Sequence, residues 1–106
     1  MPKEIKNLLE KLKSGLKQLY GEQFKGIYLF GSYARGDFNQ DSDIDILIVL
    51  SDFEKYGAEI NRTSELIGTL SLEYDTTVSV VFSREREWLI GKLPLWMNIH
   101  AEGVAV

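Results

Sequence analysis

Cysteine is absent from the 106 residues, and histidine occurs once, as His100. Without thiols there is no disulfide staple, no thiolate metal site and no cysteine nucleophile. One imidazole has no second with which to build a histidine metal cluster, so His100 is expected to be a surface or tail-packing residue. No apolar run approaches membrane-spanning length. The opening "MPKEIKNLLEKLKSGLKQLY" is charged throughout and lacks the apolar core of a signal peptide. A basic surplus is missing too: 12 Lys and Arg stand against 16 Asp and Glu, a net charge of -4. That balance weighs against a general nucleic-acid binder, which needs Lys and Arg for the phosphate backbone. A soluble, cytoplasmic protein with no membrane association is the expectation, and its oligomeric state is left open.

What remains is a globular composition, 44% hydrophobic and 26% charged, and a length that fits one domain spanning residues 1–106. Ile5, Leu8, Leu9, Leu12, Leu16 and Leu19 recur at three- and four-residue steps, which predicts an amphipathic helix with Pro2 in its first turn and Gly21 as its stop. "GIYLF", Gly26 to Phe30, reads as a buried strand broken by Gly31. "ILIVL", Ile46 to Leu50, reads as a second strand buried on both faces. Ser51 and Asp52 are N-cap candidates for a helix from about Phe53 to Leu72, with Tyr56, Ile60, Ile67 and Leu70 inward; Gly57 and Gly68 argue against its continuity. "TTVSVVF", Thr76 to Phe82, alternates as a third strand, and Ser83 resembles a helix cap slightly out of register. Trp88 and Trp96 flank Pro94, as core or as a partner-docking surface, and the tail ends in a short helix stopped by Gly103. The expected fold class is α/β, a small sheet covered by helices.

Chemistry concentrates in "GSYARGDFNQDSDIDILIVL", Gly31 to Leu50. Asp43 and Asp45 are two apart where a strand begins, and residues i and i+2 of a strand share a face. Two adjacent carboxylates raise each other's pKa unless a cation lies between them. Hard oxygen donors suit Mg²⁺, which favours one or two carboxylates together with substrate phosphates. Gly31 and Ser32 follow the first strand; glycine lets backbone N–H groups approach a phosphate, and the serine hydroxyl can donate to it. "SYAR" starts a short helix with its N-terminus toward the same anion, and Arg35 adds a charge suited to a phosphate chain. A nucleophilic role for Ser32 lacks a neighbouring base. Asp37 and Asp41 read as turn residues.

Gly31-Ser32, ten intervening residues, then Asp43-Ile44-Asp45 resemble the signature of the DNA polymerase β-like nucleotidyltransferase superfamily. The string "GSYARG…SDIDILIVL" is similar to the minimal nucleotidyltransferases, small antitoxins paired with HEPN-domain toxins. The resemblance implies a mixed-sheet, polymerase β palm-like fold and a transfer of AMP from ATP, with two Mg²⁺ ions, to a hydroxyl of a HEPN toxin, typically a tyrosine. It implies a metal-binding pair at Asp43 and Asp45, a phosphate-binding turn at Gly31 and Ser32, and Arg35 at the family's common arginine position. One departure stands out. The superfamily usually carries a third carboxylate on a later strand, where this chain has Ser79 in "VSVV". Asp75 lies earlier, roughly 13 Å away along an extended strand. Either Asp75 is the third ligand in a shifted alignment, or the site has two acids. The two-acid case favours an alternative, a catalytically weak module that neutralises a toxin by binding it. Transfer to a small molecule would need further acidic pocket-forming segments.

Overall fold

The computed structural model describes every residue from Met1 to Val106. Helix α1 spans Lys3–Tyr20 and buries Ile5, Leu8, Leu9, Leu12, Leu16 and Tyr20. Tyr20, not the expected Leu19, completes the stripe, because the row advances by four residues from Leu12 to Leu16 to Tyr20 and leaves Leu19 outside. Gly21 ends the helix as expected, its N–H donating to the Lys17 carbonyl.

Strand β1 runs from Phe24 to Phe30 and β2 from Ile44 to Leu50, each starting two residues earlier than the apolar runs suggested. They pair antiparallel, with Phe30 opposite Asp45. Between them lies α2, Ser32–Arg35. Helix α3 spans Tyr56–Glu73, and neither Gly57 nor Gly68 interrupts it. Its N-cap is Lys55, not Ser51 or Asp52. The Asp52 carboxylate instead accepts from the Phe53 N–H at 2.8 Å and from Arg84 at 3.0 Å. Tyr56 does not turn inward: it is exposed, and its hydroxyl accepts the Phe82 N–H at 3.1 Å on the edge of the sheet. Glu59, Thr63 and Leu70 are the residues α3 buries.

Strand β3, Val78–Arg84, pairs parallel with β2, with α3 as the crossover between them. Two short helices follow, α4 over Glu85–Ile90 and α5 over Pro94–Glu102. Arg84 rather than Ser83 caps α4. A two-residue strand not anticipated from the sequence, β4 at Val104–Ala105, then pairs antiparallel with β1. The sheet order is β3-β2-β1-β4, a mixed sheet with helices on both faces. No helix is long and apolar enough to cross a membrane.

The two faces are unequal. The even residues of β2, Ile44, Ile46, Ile48 and Leu50, join α1, α3, Ile27 and Leu29 in the larger core. The odd residues Leu47 and Val49 meet Trp88, Trp96 and Ile99 of α4 and α5 in a smaller one. Both tryptophans are therefore core. His100 stacks on Trp88, with ring centroids 3.6 Å apart, and its Nε2 lies 2.7 Å from the Trp88 carbonyl, which ties α5 to the end of α4.

Candidate active site

The alternation of β2 decides where the acids point. Asp45 is the second residue of the strand and lies, with Leu47 and Val49, on the α4/α5 face. Asp43 immediately precedes the strand, and the Ile44 N–H already donates to the Thr77 carbonyl at 2.9 Å, so the ladder reaches this point. The same parity puts Asp43 on the Asp45 side. Asp43 is exposed and Asp45 half-buried.

Gly31 locks the turn to this pair. Its φ is +74°, a left-handed conformation that favours glycine, and a Cβ placed there would collide with the Asp45 carboxylate. The backbone of the Gly31-Ser32 turn is thus packed directly against Asp45. The turn continues into α2 through a bond from the Arg35 N–H to the Gly31 carbonyl (3.1 Å), and the Gly36 N–H donates to the Ser32 carbonyl (2.9 Å). Arg35 Nε lies 3.2 Å from the Asp37 carboxylate and Nη1 3.8 Å from Glu102 at the end of α5. Asp41 is a turn residue, its N–H donating to the Asn39 side chain at 2.8 Å.

Burial raises the Asp45 carboxyl above its ordinary value, the Asp43 charge raises it further, and Arg35 opposes both. Neither Asp43 nor Asp45 takes part in an ion pair within the chain. An oxygen-only donor set of two neighbouring carboxylates outside any ion pair has the chemistry that Mg²⁺ takes.

Ser79 is the direct neighbour of Asp45 across the parallel β2–β3 register. Asp75 is elsewhere. It sits in the turn after α3 with φ +50°, the one non-glycine residue with a positive φ. It lines a groove of about 310 Å³ with Tyr33, Phe38 and Tyr74. Tyr33 and Tyr74 pack against the α1/α3 core. No group of three His, Cys, Asp or Glu side chains is gathered for a metal ion. The structure therefore sets the Gly31 backbone against Asp45, with the charges of Asp43 and Arg35 acting on the same carboxyl, and gathers no third acid with the pair. It adds Glu102, which no local motif could reveal because its approach to Arg35 depends on where α5 ends.

Residues 9–98 match the family model described as "Nucleotidyltransferase domain". The chain belongs to the nucleotidyltransferase family. This nucleotidyltransferase is similar to two Methanocaldococcus jannaschii proteins. "Putative protein adenylyltransferase MJ0604" is 35% identical over 98 residues, 90% of each chain. "Putative protein adenylyltransferase MJ1215" is 45% identical over 72 residues, 68% of this chain and 81% of the other. Among solved structures, a toxin-antitoxin crystallised with AMP-PNP matches with a TM-score of 0.64 and 25% identity, covering 98% of this chain and 72% of that one. A tri-AMPylated Shewanella oneidensis HEPN toxin in complex with MNT antitoxin matches with a TM-score of 0.52 and 21% identity, over 92% of this chain and 70% of that one, a likeness of fold.

Proposed function

We propose that this nucleotidyltransferase moves AMP from ATP to a hydroxyl of a HEPN toxin, a tyrosine as the family resemblance implies, and so acts as an antitoxin. The observation that carries the reading is the packing of the Gly31 backbone against the Asp45 carboxylate, beside Asp43. A phosphate-binding turn and a carboxylate pair are thereby held within one ligand's length. Asp43 and Asp45 would hold Mg²⁺ (two ions in the family's scheme), and Gly31 and Ser32 would receive the triphosphate. Arg35, held between Asp37 and Glu102, would exchange those carboxylates for phosphate oxygens. When bound, the metal lowers the acceptor hydroxyl's pKa and neutralises charge on the leaving group. The acceptor oxygen attacks the α-phosphorus, a new P–O bond forms as the bond to pyrophosphate breaks, and the hydroxyl proton is released. Chain-borne groups do the positioning: the half-buried Asp45 fixes the pair against a rigid strand, and the glycine turn excludes any side chain between it and the phosphates.

A second reading, neutralisation by complex formation alone, draws support from Ser79, an exposed hydroxyl directly beside Asp45. The two are separated by incubating the protein with its cognate HEPN protein, ATP and Mg²⁺ and measuring the intact mass of the partner. Enzymatic action predicts a gain of one or more AMP. A tight complex with no gain at any Mg²⁺ concentration would leave the binding reading in its place.

A further inference from the structure

Asp45 and Asp43 are held by different means. Asp45 lies inside β2, is half-buried and has the Gly31 backbone packed against it. Asp43 is exposed and precedes the strand, at the end of a loop, Gly36 to Asp43, that contains neither helix nor strand. That loop carries Asp37, Asp41 and Asp43, whose like charges favour a splayed chain. Its one apolar residue is Phe38. An aromatic side chain in so polar a loop needs a structural reason.

Phe38 stacks face to face on Tyr33, with ring centroids 4.4 Å apart and planes 9° from parallel. Tyr33 follows Ser32 in α2 and packs against the larger core. The stack therefore joins the start of the loop to the helix that continues the phosphate turn. A second device closes the other end. The Asn39 N–H donates to the Ser42 hydroxyl at 2.9 Å, and the Ser42 N–H donates back to the Asn39 carbonyl at 3.1 Å. The Asn39 side chain also accepts the Asp41 N–H at 2.8 Å. On the far side of Asp43, the Ile44 N–H is already bound to the Thr77 carbonyl. Asp43 thus sits between two pinned neighbours, Ser42 and Ile44.

We propose that Phe38 and Ser42 are positioning residues: the Tyr33–Phe38 stack and the Asn39–Ser42 ring hold Asp43 beside Asp45, ready for a divalent cation to take both carboxylates. The inference rests on the reading of Asp43 and Asp45 as metal-holding acids. Neither Phe38 nor Ser42 needs to touch the cation or the nucleotide. Each removes the need to order a charged loop when the cation arrives, and that preorganisation appears as affinity.

The test is a titration of Mn²⁺, read by the electron paramagnetic resonance of the free ion, into the full chain and its variants with and without ATP. Phe38→Ala and Ser42→Ala should each weaken Mn²⁺ binding by about tenfold, the lower end for a residue that orients a metal ligand. Phe38→Tyr, which keeps a ring to stack, and Ser42→Thr, which keeps the hydroxyl, should bind like wild type. Leu70→Ala, in the core beneath α3, should lower Tm more than either alanine variant and leave the Mn²⁺ affinity of the folded chain unchanged. In AMP transfer the two alanine variants should need about tenfold more Mg²⁺ and approach the wild-type rate at saturation. Should Phe38→Ala fail to fold, the milder Phe38→Leu takes its place. Wild-type Mn²⁺ affinity in either loop variant, where Asp43→Asn loses binding, would overturn the inference and leave the metal reading standing. An equal loss in Leu70→Ala would also overturn it, in favour of general destabilisation. A wild-type chain that binds no more Mn²⁺ than Asp43→Asn under either condition would remove the metal reading together with this inference.

Discussion

The two faces of the sheet are built from the same strands and do different work. On the α1/α3 face, fifteen buried residues form one continuous core, enough to make that side the source of stability. On the α4/α5 face only five do, and the strands there end in Asp43, Asp45 and Ser79 rather than in aliphatic residues. A single strand, β2, serves both by alternation: its even isoleucines anchor it, and its odd positions present the acids. The lesson is that a carboxylate pair can be held rigidly at a sheet surface without being buried, provided the reverse side of the same strand is deeply packed. Stability and chemistry can then be damaged separately.

The largest expected effect is on the chemical side. Asp43→Asn or Asp45→Asn should lower AMP transfer by about 10²- to 10³-fold, the order of several kcal/mol of lost metal assistance, with no loss of thermal stability. Next comes the other face. Leu12→Ala, fully buried beneath the sheet, should cost about 2–5 kcal/mol in urea unfolding, whereas Leu89→Ala, exposed on α4, should stay within about 0.5 kcal/mol. If the two cost the same, the contrast between the faces is wrong.

A smaller loss is expected where a polar pair is built into the packed side. Glu59 is buried and accepts the Tyr20 hydroxyl at 2.8 Å. Burial, followed by the Glu59 hydrogen bond and charge, pushes the Tyr20 hydroxyl well above its usual range, so it stays a donor. Tyr20→Phe strands that carboxylate's partner site and should cost about 1–3 kcal/mol, with transfer per folded molecule unchanged.

The smallest effect concerns Asp45 as a burden on folding. Its carboxyl lies above the ordinary 3.8 through burial and then through Asp43. A raised carboxyl favours the folded state at low pH, and that advantage is lost as pH rises through the shifted value. In metal-free buffer at pH 7, Asp45→Asn should therefore raise Tm slightly, and the difference should fade as the pH is lowered toward 3.8. A lowered Tm at pH 7 would mean that the carboxylate is stabilised rather than strained.

Periodicity revealed the first helix, the three longer strands and their order, because each has an apolar pattern of its own. It missed β4, two exposed residues whose strand character comes from β1 alone. It misplaced the cap of α3 because Asp52 has a stronger claimant in Arg84, distant in sequence. The pairing of Asp43 with Asp45 and their approach to Gly31 follow from spacing and strand parity, which are local rules. The setting of Asp75 does not: parity would put it on the shared face only if β3 reached back that far, but the chain turns at Asp75 with φ +50° before β3 starts. Likewise the α4–α5 hairpin was visible only as an apolar tail around Trp88 and Trp96, since packing alone decides which of its side chains face inward.

On the proposed function Asp43 and Asp45 are the metal-holding acids and Asp75, in the turn before β3, takes no part. The most direct test of that claim is the rate of AMP transfer by Asp75→Asn beside that of Asp45→Asn, asparagine being a residue that tolerates the left-handed backbone at position 75. The account predicts a wild-type rate for Asp75→Asn and a background rate for Asp45→Asn. An Asp75→Asn variant that folds and is as inactive as Asp45→Asn would contradict it.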